Sequence, residues 1–343
     1  MKPKTFVIAA CSCALLLLAA CAGLVAWTDP LLTLGPLEEG ETALFINERY
    51  ELAGLIRRQD YSNLVMGTSL AANFRQSWFS DWLGSGTLKA ALPDGRLEEF
   101  DTALDLAYRT HEIDRVFFGL DPNVLIRGDQ RSQLPEYLYN DNALDDLQFY
   151  FNAESLALAF QSLLLGEEMK VPLDEAYVWD RDHIFSRAAA LESYPRPEKA
   201  AAPLPSETYL AAAQENMDVI CGWVQEHPDT QFVVWFPPYS VLYWDQVGRQ
   251  GKTEAILAAV EYACGRLLAH GNVMVVSFLN AQDIITNLNN YTDHIHYSGG
   301  TAAWMSRKML AGQWRYWPDS YPGQVEELRQ FVNSYDYEAL FDP

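Results

Sequence analysis

Apolar and polar positions along the chain follow two alternating patterns. Short apolar runs bounded by Gly, Pro or Asp are typical of strands buried on both faces, and apolar residues three and four positions apart are typical of helices. These patterns predict strands at residues 63–66, 88–92, 115–120, 231–236 and 272–278. They predict helices at residues 41–58, 98–111, 144–165, 206–227, 252–270 and 298–311.

Alternating strands and helices indicate a parallel sheet covered on both faces. We therefore predict an α/β fold of three layers, α/β/α, with a mainly parallel, flavodoxin-like sheet. Residues 126–205 fit this alternation poorly, and we interpret them as an inserted helical and irregular cap over the site. The predicted domains are an anchor at 1–27, a linker with the first helix at 28–60, the α/β domain at 61–315 and a C-terminal extension at 316–343.

An uncharged apolar segment follows the N-terminal lysines Lys2 and Lys4. At about 1.5 Å per residue, residues 5–27 cover the roughly 30 Å hydrocarbon core of a bilayer, and the lysines favour a cytoplasmic N-terminus. We predict a single-pass cell-membrane anchor with Trp27 at the outer interface. A cleaved signal peptide and a lipoprotein attached at Cys21 are the alternatives, and all three place the following domain outside the cytoplasm.

The chain is strongly acidic, with a formal net charge of -22 from 24 basic and 46 acidic residues. Without Lys2 and Lys4 the exported part has 22 basic and 46 acidic residues, which gives -24. Such a surface repels nucleic acid and anionic lipid, so we predict no nucleic-acid partner and interpret the charge as solubilising.

The five cysteines do not have the spacing of a metal site, and we expect neither metal nor cofactor. We interpret Cys221 and Cys264 as buried free thiols; a disulfide between them is the alternative.

The candidate nucleophile comes directly after the first predicted strand. Gly67-Thr68-Ser69 ends that strand, and the residues after Ser69 are a plausible helix start. A serine becomes a nucleophile when a base removes its proton, and its own N–H at a helix start can help to stabilise an oxyanion. The alternative is a serine that merely caps the helix.

The candidate base lies near the C-terminus, where Asp293 precedes His296 by three residues. An Asp at that spacing can accept a hydrogen bond from one ring nitrogen, which leaves the other to act as a base. Asp180 and His183 have the same spacing but lie in the irregular insertion. We therefore assign the pair to Asp293 and His296, which are followed by a strong core helix.

The order of these blocks, Ser first and Asp with His at the end, resembles the SGNH hydrolase superfamily over residues 63–311, the insertion excluded. It most resembles the membrane-anchored bacterial cell-envelope branch, whose members act in lipoteichoic-acid D-alanylation and in alginate and cellulose acetylation. The resemblance implies that Ser69 is the nucleophile, His296 the base and Asp293 the residue that orients the base. It also implies that Gly95 is an oxyanion-hole glycine.

One sequence block of this chain departs from the family pattern. In the family the third block usually ends Gly-x-Asn, and the Asn amide donates to the oxyanion. This chain has Gly119-Leu120-Asp121 at that place. An ionised carboxylate cannot donate, so a contribution of roughly 3 kcal/mol would be lost. Three alternatives stay open: Asn123 substitutes as donor, Asp121 is protonated, or Asp121 orients a cationic substrate.

Pro237, Pro238 and Tyr239 follow the fourth predicted strand and resemble a wall of the acceptor cleft. Aromatic faces there would suit sugar rings or acyl groups, and a packed aromatic loop is the alternative.

The resemblance implies an exported, membrane-tethered O-acyl esterase or O-acyltransferase. It would act on a cell-envelope glycan or teichoic-acid polymer through an acyl-Ser69 intermediate. A membrane-bound O-acyltransferase that delivers acyl groups is the implied partner. The alternative function is a non-catalytic envelope-polysaccharide binding or assembly protein on a degenerate SGNH scaffold, which the Asp121 departure favours.

Overall fold

The structure is a computed structural model that describes every residue except Met1, Lys2, Glu39, Ala143, Asp146, Ala201, Asp342 and Pro343. The orienting role predicted for Lys2 therefore lies outside the described residues. The chain forms two compact units. The anchor unit comprises Met1–Asp60, Thr102–Thr110 and Gln133–Ala176, and the sheet unit comprises Tyr61–Asp101, His111–Ser132 and Tyr177–Pro343.

The strands are β1 Thr42–Ala43, β2 Asn63–Gly67, β3 Thr87–Ala91, β4 Arg115–Gly119, β5 Val171–Pro172, β6 Gln231–Phe236, β7 Val273–Ser277 and β8 Arg315–Tyr316. The α-helices are α1 Pro3–Thr28, α2 Glu48–Arg58, α3 Gln76–Leu83, α4 Leu97–Thr110, α5 Pro122–Leu125, α6 Glu136–Tyr139, α7 Leu147–Phe151, α8 Ala153–Leu164, α9 Arg187–Glu192, α10 Leu210–Glu226, α11 Val241–Arg249, α12 Thr253–Leu267, α13 Gln282–Ile285, α14 Gly299–Leu310 and α15 Tyr321–Ser334. Short 3-10 turns lie at Ser69–Ala71, Glu167–Met169, Leu173–Glu175, Trp179–Arg181, Ser206–Tyr209, Leu288–Asn290 and Glu338–Leu340.

The sheet unit contains six strands in the order β3-β2-β4-β6-β7-β8. The first five are parallel, and β8 pairs antiparallel with β7 at one edge. The central strands are apolar and buried because helices cover such sheets on both faces. The predicted α/β class with a mainly parallel sheet is confirmed.

The strand order reverses between β2 and β4, since β3 adds to one side of β2 and every later strand to the other. Ligands of open α/β sheets bind outside the carboxyl ends of the strands at such a switch point. Ser69 follows β2 and Asp121 follows β4, so both candidate residues lie at this reversal. At the end of β4, Gly119 leaves room for the indole of Trp235, which a Cβ atom would approach to 2.5 Å.

The anchor unit begins with α1, a helix of 26 residues that is long and apolar enough to cross a membrane. Length and composition alone fit a signal sequence equally well. In the same unit β1 pairs antiparallel with β5, and α7 and α8 pack against α1. Gly54 of α2 contacts the chain after α1 so closely that a Cβ atom would lie 2.2 Å from the carbonyl oxygen of Leu31.

Most predicted elements lie within a few residues of the observed ones, with two informative differences. The helix predicted at 144–165 is two helices, because Asn152 is extended and its side chain caps α8 by accepting the N–H of Glu154 at 2.7 Å. The periodicity predicts no element at residues 241–249, whereas they form α11, which Ser240 caps by accepting the N–H of Leu242 at 3.2 Å.

Candidate active site

Ser69 opens the 3-10 turn that follows β2. The turn is capped by Thr68, whose side chain accepts the N–H of Leu70. Behind it the buried ammonium group of Lys89 donates to the carbonyl oxygens of Ala72 at 2.7 Å and Phe74 at 2.8 Å. Among the described residues no acceptor binds the N–H of Ser69, which therefore remains available to a ligand.

His296 lies on a loop that is closed by two hydrogen bonds between backbone groups of the loop. The N–H of Thr292 donates to the carbonyl oxygen of His296 at 3.0 Å, and the N–H of Ser298 donates to that of Asn290 at 2.8 Å. One carboxylate oxygen of Asp293 accepts the N–H groups of Ile295 and His296, both at 2.8 Å. The carboxylate is thereby fixed beside the imidazole ring.

The structure brings Ser69, His296 and Asp293 together in one hydrogen-bonded row. Ser69 Oγ lies 2.7 Å from His296 Nε2, and His296 Nδ1 lies 2.6 Å from Asp293 Oδ2. Burial opposes ionisation of Asp293, but hydrogen bonds and the charge of His296 outweigh it and lower the pKa of this carboxyl to about 2. An ionised Asp293 only accepts, so Nδ1 carries a proton, and Nε2 accepts the hydroxyl of Ser69 when the ring holds no second proton.

Two further contacts join the serine turn to the histidine loop. The hydroxyl of buried Tyr297 donates to the carbonyl oxygen of Leu70. The buried amide of Asn73 donates from Nδ2 to the carbonyl oxygen of Tyr297 at 2.8 Å. Because Tyr297 is the neighbour of His296, these bonds fix the distance between the serine and the imidazole.

The inserted segment contributes an aromatic ring to the site. The indole of Trp179 lies against the imidazole of His296, with ring centroids 4.1 Å apart. Asn73 Oδ1 accepts the N–H groups of Trp179 at 2.7 Å and Asp180 at 3.3 Å. Asp180 in turn accepts the N–H of Gly299 at the start of α14, at 2.7 Å.

His183 also stacks on Trp179, with ring centroids 4.6 Å apart, and is exposed. The second Asp-x-x-His sequence therefore lies beside the site, although it is His296 whose ring reaches Ser69. Sequence reasoning did not assign Trp179 or Asn73 to the site, because an isolated aromatic residue in irregular chain carries no pattern.

Asp121 lies beside the serine turn and accepts from three donors. Its Oδ1 accepts the hydroxyl of Tyr239 and, at 2.7 Å, the N–H of Asn123, and its Oδ2 accepts Thr68 Oγ1 at 3.4 Å. Burial raises the pKa of Asp121 above its usual value, although these three hydrogen bonds oppose the shift. Asp121 thus acts as an acceptor that joins β2, β4 and the chain after β6.

Asn123 uses one of its two side-chain N–H donors within the protein, and Gly95 uses its backbone N–H. The amide of Asn123 donates to the hydroxyl oxygen of Tyr239 at 3.0 Å. The N–H of Gly95 donates to the carbonyl oxygen of Leu92 at 2.8 Å within its own turn. Of the backbone N–H groups named as oxyanion donors, that of Ser69 has no acceptor in the described chain. The roles of Gly95, Asp121 and Asn123 stay predictions.

Pro237, Pro238 and Tyr239 are buried, and so are Tyr243 and Trp244 of α11. Tyr239 packs on Tyr243 with ring centroids 4.0 Å apart, and Pro238 accepts the hydroxyl of Tyr291 at 2.6 Å. This arrangement favours the packed-loop alternative, since buried rings do not present a face to a substrate. The substrate-binding role of these three residues stays a prediction.

Cys221 and Cys264 are both buried free thiols, as the preferred interpretation had it. In the part of the chain that the structure describes, no group of three or more His, Cys, Asp or Glu side chains could hold a metal ion.

Comparisons with known proteins do not identify a family for this chain. No family model matches the chain, and no curated protein matches it. A solved structure from Streptococcus pneumonia, provisionally described as a platelet activating factor, aligns with 77% of this chain and 91% of its own at 12% identity and a TM-score of 0.41. A likeness this weak carries no argument about activity.

Proposed function

We propose that the protein is a membrane-tethered serine acyl-transfer enzyme that uses Ser69 as nucleophile. The observation that carries the proposal is the continuous row from Ser69 Oγ to His296 Nε2, at 2.7 Å, and from His296 Nδ1 to Asp293, at 2.6 Å. A serine held against a neutral imidazole whose far nitrogen is bound to a carboxylate is the arrangement that general-base activation requires.

The proposed reaction has two steps, which are the acylation of Ser69 and the transfer of the acyl group to an acceptor. Ser69 Oγ attacks the acyl carbon while His296 takes its proton, and the N–H of Ser69 donates to the oxyanion. His296 then protonates the leaving alcohol, which departs and leaves acyl-Ser69. In the second step water or an acceptor hydroxyl gives its proton to His296 and attacks the acyl carbon, and Ser69 recovers its proton from His296. Asp293 keeps its charge throughout and stabilises the imidazolium.

The proposed substrates are O-acyl groups of a cell-envelope glycan or teichoic-acid polymer. This part of the proposal rests on the resemblance to the envelope branch of SGNH proteins and on the apolar helix α1, which would hold the enzyme near a partner that delivers acyl groups. A membrane-bound O-acyltransferase is the proposed partner, and the acidic surface disfavours a nucleic acid.

The nucleophile is tested by labelling the full chain with a fluorophosphonate probe. We expect labelling of the native protein, none with Ser69→Ala, and a loss of about a thousandfold or more in labelling rate with His296→Ala. His183→Ala is the matched control, because His183 also stacks on Trp179 but does not contact Ser69. Equal losses for the two histidine variants, or unchanged labelling of Ser69→Ala, would contradict the assignment.

Hydrolysis and transfer are separated with an acetyl ester as donor. The acyl-enzyme is measured by intact mass, and free acetate and acetylated envelope polymer are measured with and without added polymer. A transferase forms more acetylated polymer and less acetate when polymer is added, whereas an esterase forms the same amount of acetate in both cases.

A non-catalytic envelope-binding protein is the second candidate. It is favoured by Asp121, which accepts hydrogen bonds at both oxygens and so supplies no donor where the family has an amide. Under this alternative the native protein fails to react with the probe yet binds envelope polymer, and Ser69→Ala binds the polymer equally well.

A further inference from the structure

Helices α7 and α8 carry an apolar surface that the described chain leaves open. Its large side chains are between 48% and 81% exposed, and we call this surface the α7/α8 face: Leu147, Phe151, Phe160, Leu163 and Leu164. No ionisable residue occurs between Glu154 and Glu167, so the face carries no charge over most of α8. Soluble surfaces rarely expose so many large apolar side chains together, and such a face marks a contact with a membrane or a protein.

The position of the α7/α8 face relative to α1 indicates whether the face contacts a membrane or a protein. Residues 3–20 of α1 are all exposed, whereas Cys21, Ala22 and Leu24 are partly buried and Val25 is buried, before Ala26 and Trp27 are exposed again. Eighteen helical residues extend about 27 Å, close to the roughly 30 Å hydrocarbon core. Helices α7 and α8 pack against α1, and Leu163 of α8 lines the same pocket as Trp27 and Thr28, which places α8 beside the end of the exposed apolar stretch.

The length of α8 fits a helix that lies in the interface rather than one that crosses it. Its 12 residues extend about 18 Å, which is too short for the hydrocarbon core. Phe160 and Leu164 are four residues apart and share one side of the helix, as an interfacial helix requires. Glu154 and the pair Glu167 with Lys170 lie at its two ends, where the chain would return to water.

We propose that the α7/α8 face lies in the outer interface of the lipid bilayer, beside the end of α1. The inference rests on the proposed anchor, since α1 supplies the membrane that the face continues. Residues 155–166 contain neither Lys nor Arg, so the contact is apolar and does not depend on anionic lipid.

The test uses the full chain in phosphatidylcholine vesicles with an environment-sensitive fluorophore on single introduced cysteines. Phe160→Cys and Leu164→Cys report on the face, and Ala10→Cys reports on α1. Glu215→Cys, on an exposed polar position of α10, is the aqueous control. Cys11, Cys13 and Cys21 are replaced by Ala, while Cys221 and Cys264 remain, because burial shields them and raises the pKa of both thiols.

We expect doxyl-labelled lipid to quench the fluorophore at positions 160 and 164, and aqueous iodide to quench it about fivefold less than at position 215. Vesicles that also contain phosphatidylglycerol should give the same result, and a requirement for that anionic lipid would contradict an apolar contact. Strong iodide quenching at 160 and 164 would overturn the proposal. Protection from both quenchers would also overturn it, since a protein would then cover the face.

Position 10 separates the two membrane proposals. If lipid quenches position 10 but not 160 and 164, the anchor stands and the α7/α8 face proposal fails. If lipid quenches 160 and 164 but not position 10, the face contacts lipid and the anchor proposal fails. The Leu164 substitution should leave the thermal midpoint unchanged, because that side chain is 81% exposed and supports no internal packing.

Discussion

At the scale of single residues, Asp293 has the most clearly defined environment in the site. Its two oxygens accept two backbone N–H groups and the ring N–H of His296, and its pKa is lowered to about 2. A carboxyl whose folded pKa is depressed contributes stability above its unfolded pKa, and this contribution is lost as the pH falls through the folded value. Asp293 is therefore ionised at every pH at which the enzyme would work.

We predict that Asp293→Asn lowers acyl-enzyme formation about ten-thousandfold, because an amide no longer holds the imidazole in the required tautomer. The free energy of unfolding should fall by up to about 2 kcal/mol at neutral pH, and the difference should disappear as the pH approaches 2. Stopped-flow acylation and chemical denaturation measure the two effects. Asp283→Asn, at an exposed aspartate, is the control and should change neither.

The pKa of Asp121 is shifted in the opposite direction from that of Asp293, because burial raises it. Its protonated form is favoured by folding, so its contribution to stability is present at low pH and is lost as the pH rises through the folded pKa. We predict that Asp121→Asn is folded and gains in thermal midpoint relative to the native protein as the pH is raised from about 4 to about 8. Ester hydrolysis should be retained or raised, since an amide restores a donor of the same size.

Asp245 provides the contrast for this experiment. It is also buried but is bound by partly exposed Arg196 at 2.9 and 3.0 Å, so Asp245→Asn breaks a partly buried ion pair and should destabilise the protein by about 1–3 kcal/mol. An Asp121→Asn variant that is destabilised to the same extent would mean that the charge of Asp121 is itself required. Loss of activity in a folded Asp121→Asn variant would assign that charge a role in the reaction.

At the scale of elements, the site depends on one inserted segment held by one side chain. Asn73 accepts from the segment at Trp179 and Asp180 and donates to Tyr297 of the histidine loop. Residues 179–180 belong to the inserted segment, yet Asn73 fixes the backbone N–H groups of both in place. A buried amide that satisfies three backbone groups explains this order.

We predict that Asn73→Ala lowers the free energy of unfolding by about 1–3 kcal/mol, because three backbone groups, among them the carbonyl oxygen of buried Tyr297, lose their partner. Activity should fall about tenfold as Trp179 moves away from His296. Asn73→Asp should keep the acceptor for Trp179 but repel the carbonyl oxygen of Tyr297. Thermal melts with steady-state kinetics measure both variants, and a stable, fully active Asn73→Ala would show that the segment is held by other contacts.

Trp179→Ala removes the indole from His296 while it leaves the Asn73 hydrogen bonds in place. We predict a fall of about tenfold in kcat, because the imidazole loses the aromatic ring that packs against it and restrains its orientation. The effect on KM should be small if Trp179 acts through His296 rather than on the substrate. Trp179→Phe should recover part of the loss, and His183→Ala, which leaves the contact between Trp179 and His296 in place, should keep the kcat of the native protein.

At the scale of the whole molecule, the prediction concerns membrane topology. Lys4 should remain in the cytoplasm and the chain from Thr28 onwards should lie outside, because basic residues favour the cytoplasmic side. Protease added to intact protoplasts should therefore digest the chain beyond α1. A chain that survives until the membrane is broken would refute export, and release of the domain in soluble form would indicate a cleaved signal instead of an anchor.

The sequence by itself determined the strands, the helices and the contacts between residues that are close together in the chain. Strands β2, β4, β6 and β7 are buried apolar runs, and the strand–helix alternation between them predicts a parallel sheet. The pairing of Asp293 with His296 is also local, because three residues of chain bring the two side chains together. The position of Ser69 directly after a strand followed from the same periodicity.

Only the tertiary structure decided which distant residues complete the site. Ser69 meets His296 across 227 positions, and Asp121 meets Tyr239 across 118. Trp179 reaches His296 from irregular chain whose sequence contains no repeating pattern. Periodicity reports which face of an element is buried, but it does not report what that face contacts. The packing of the whole sheet unit determines which residues far apart in sequence come into contact. These pairs can therefore be identified only in the folded structure.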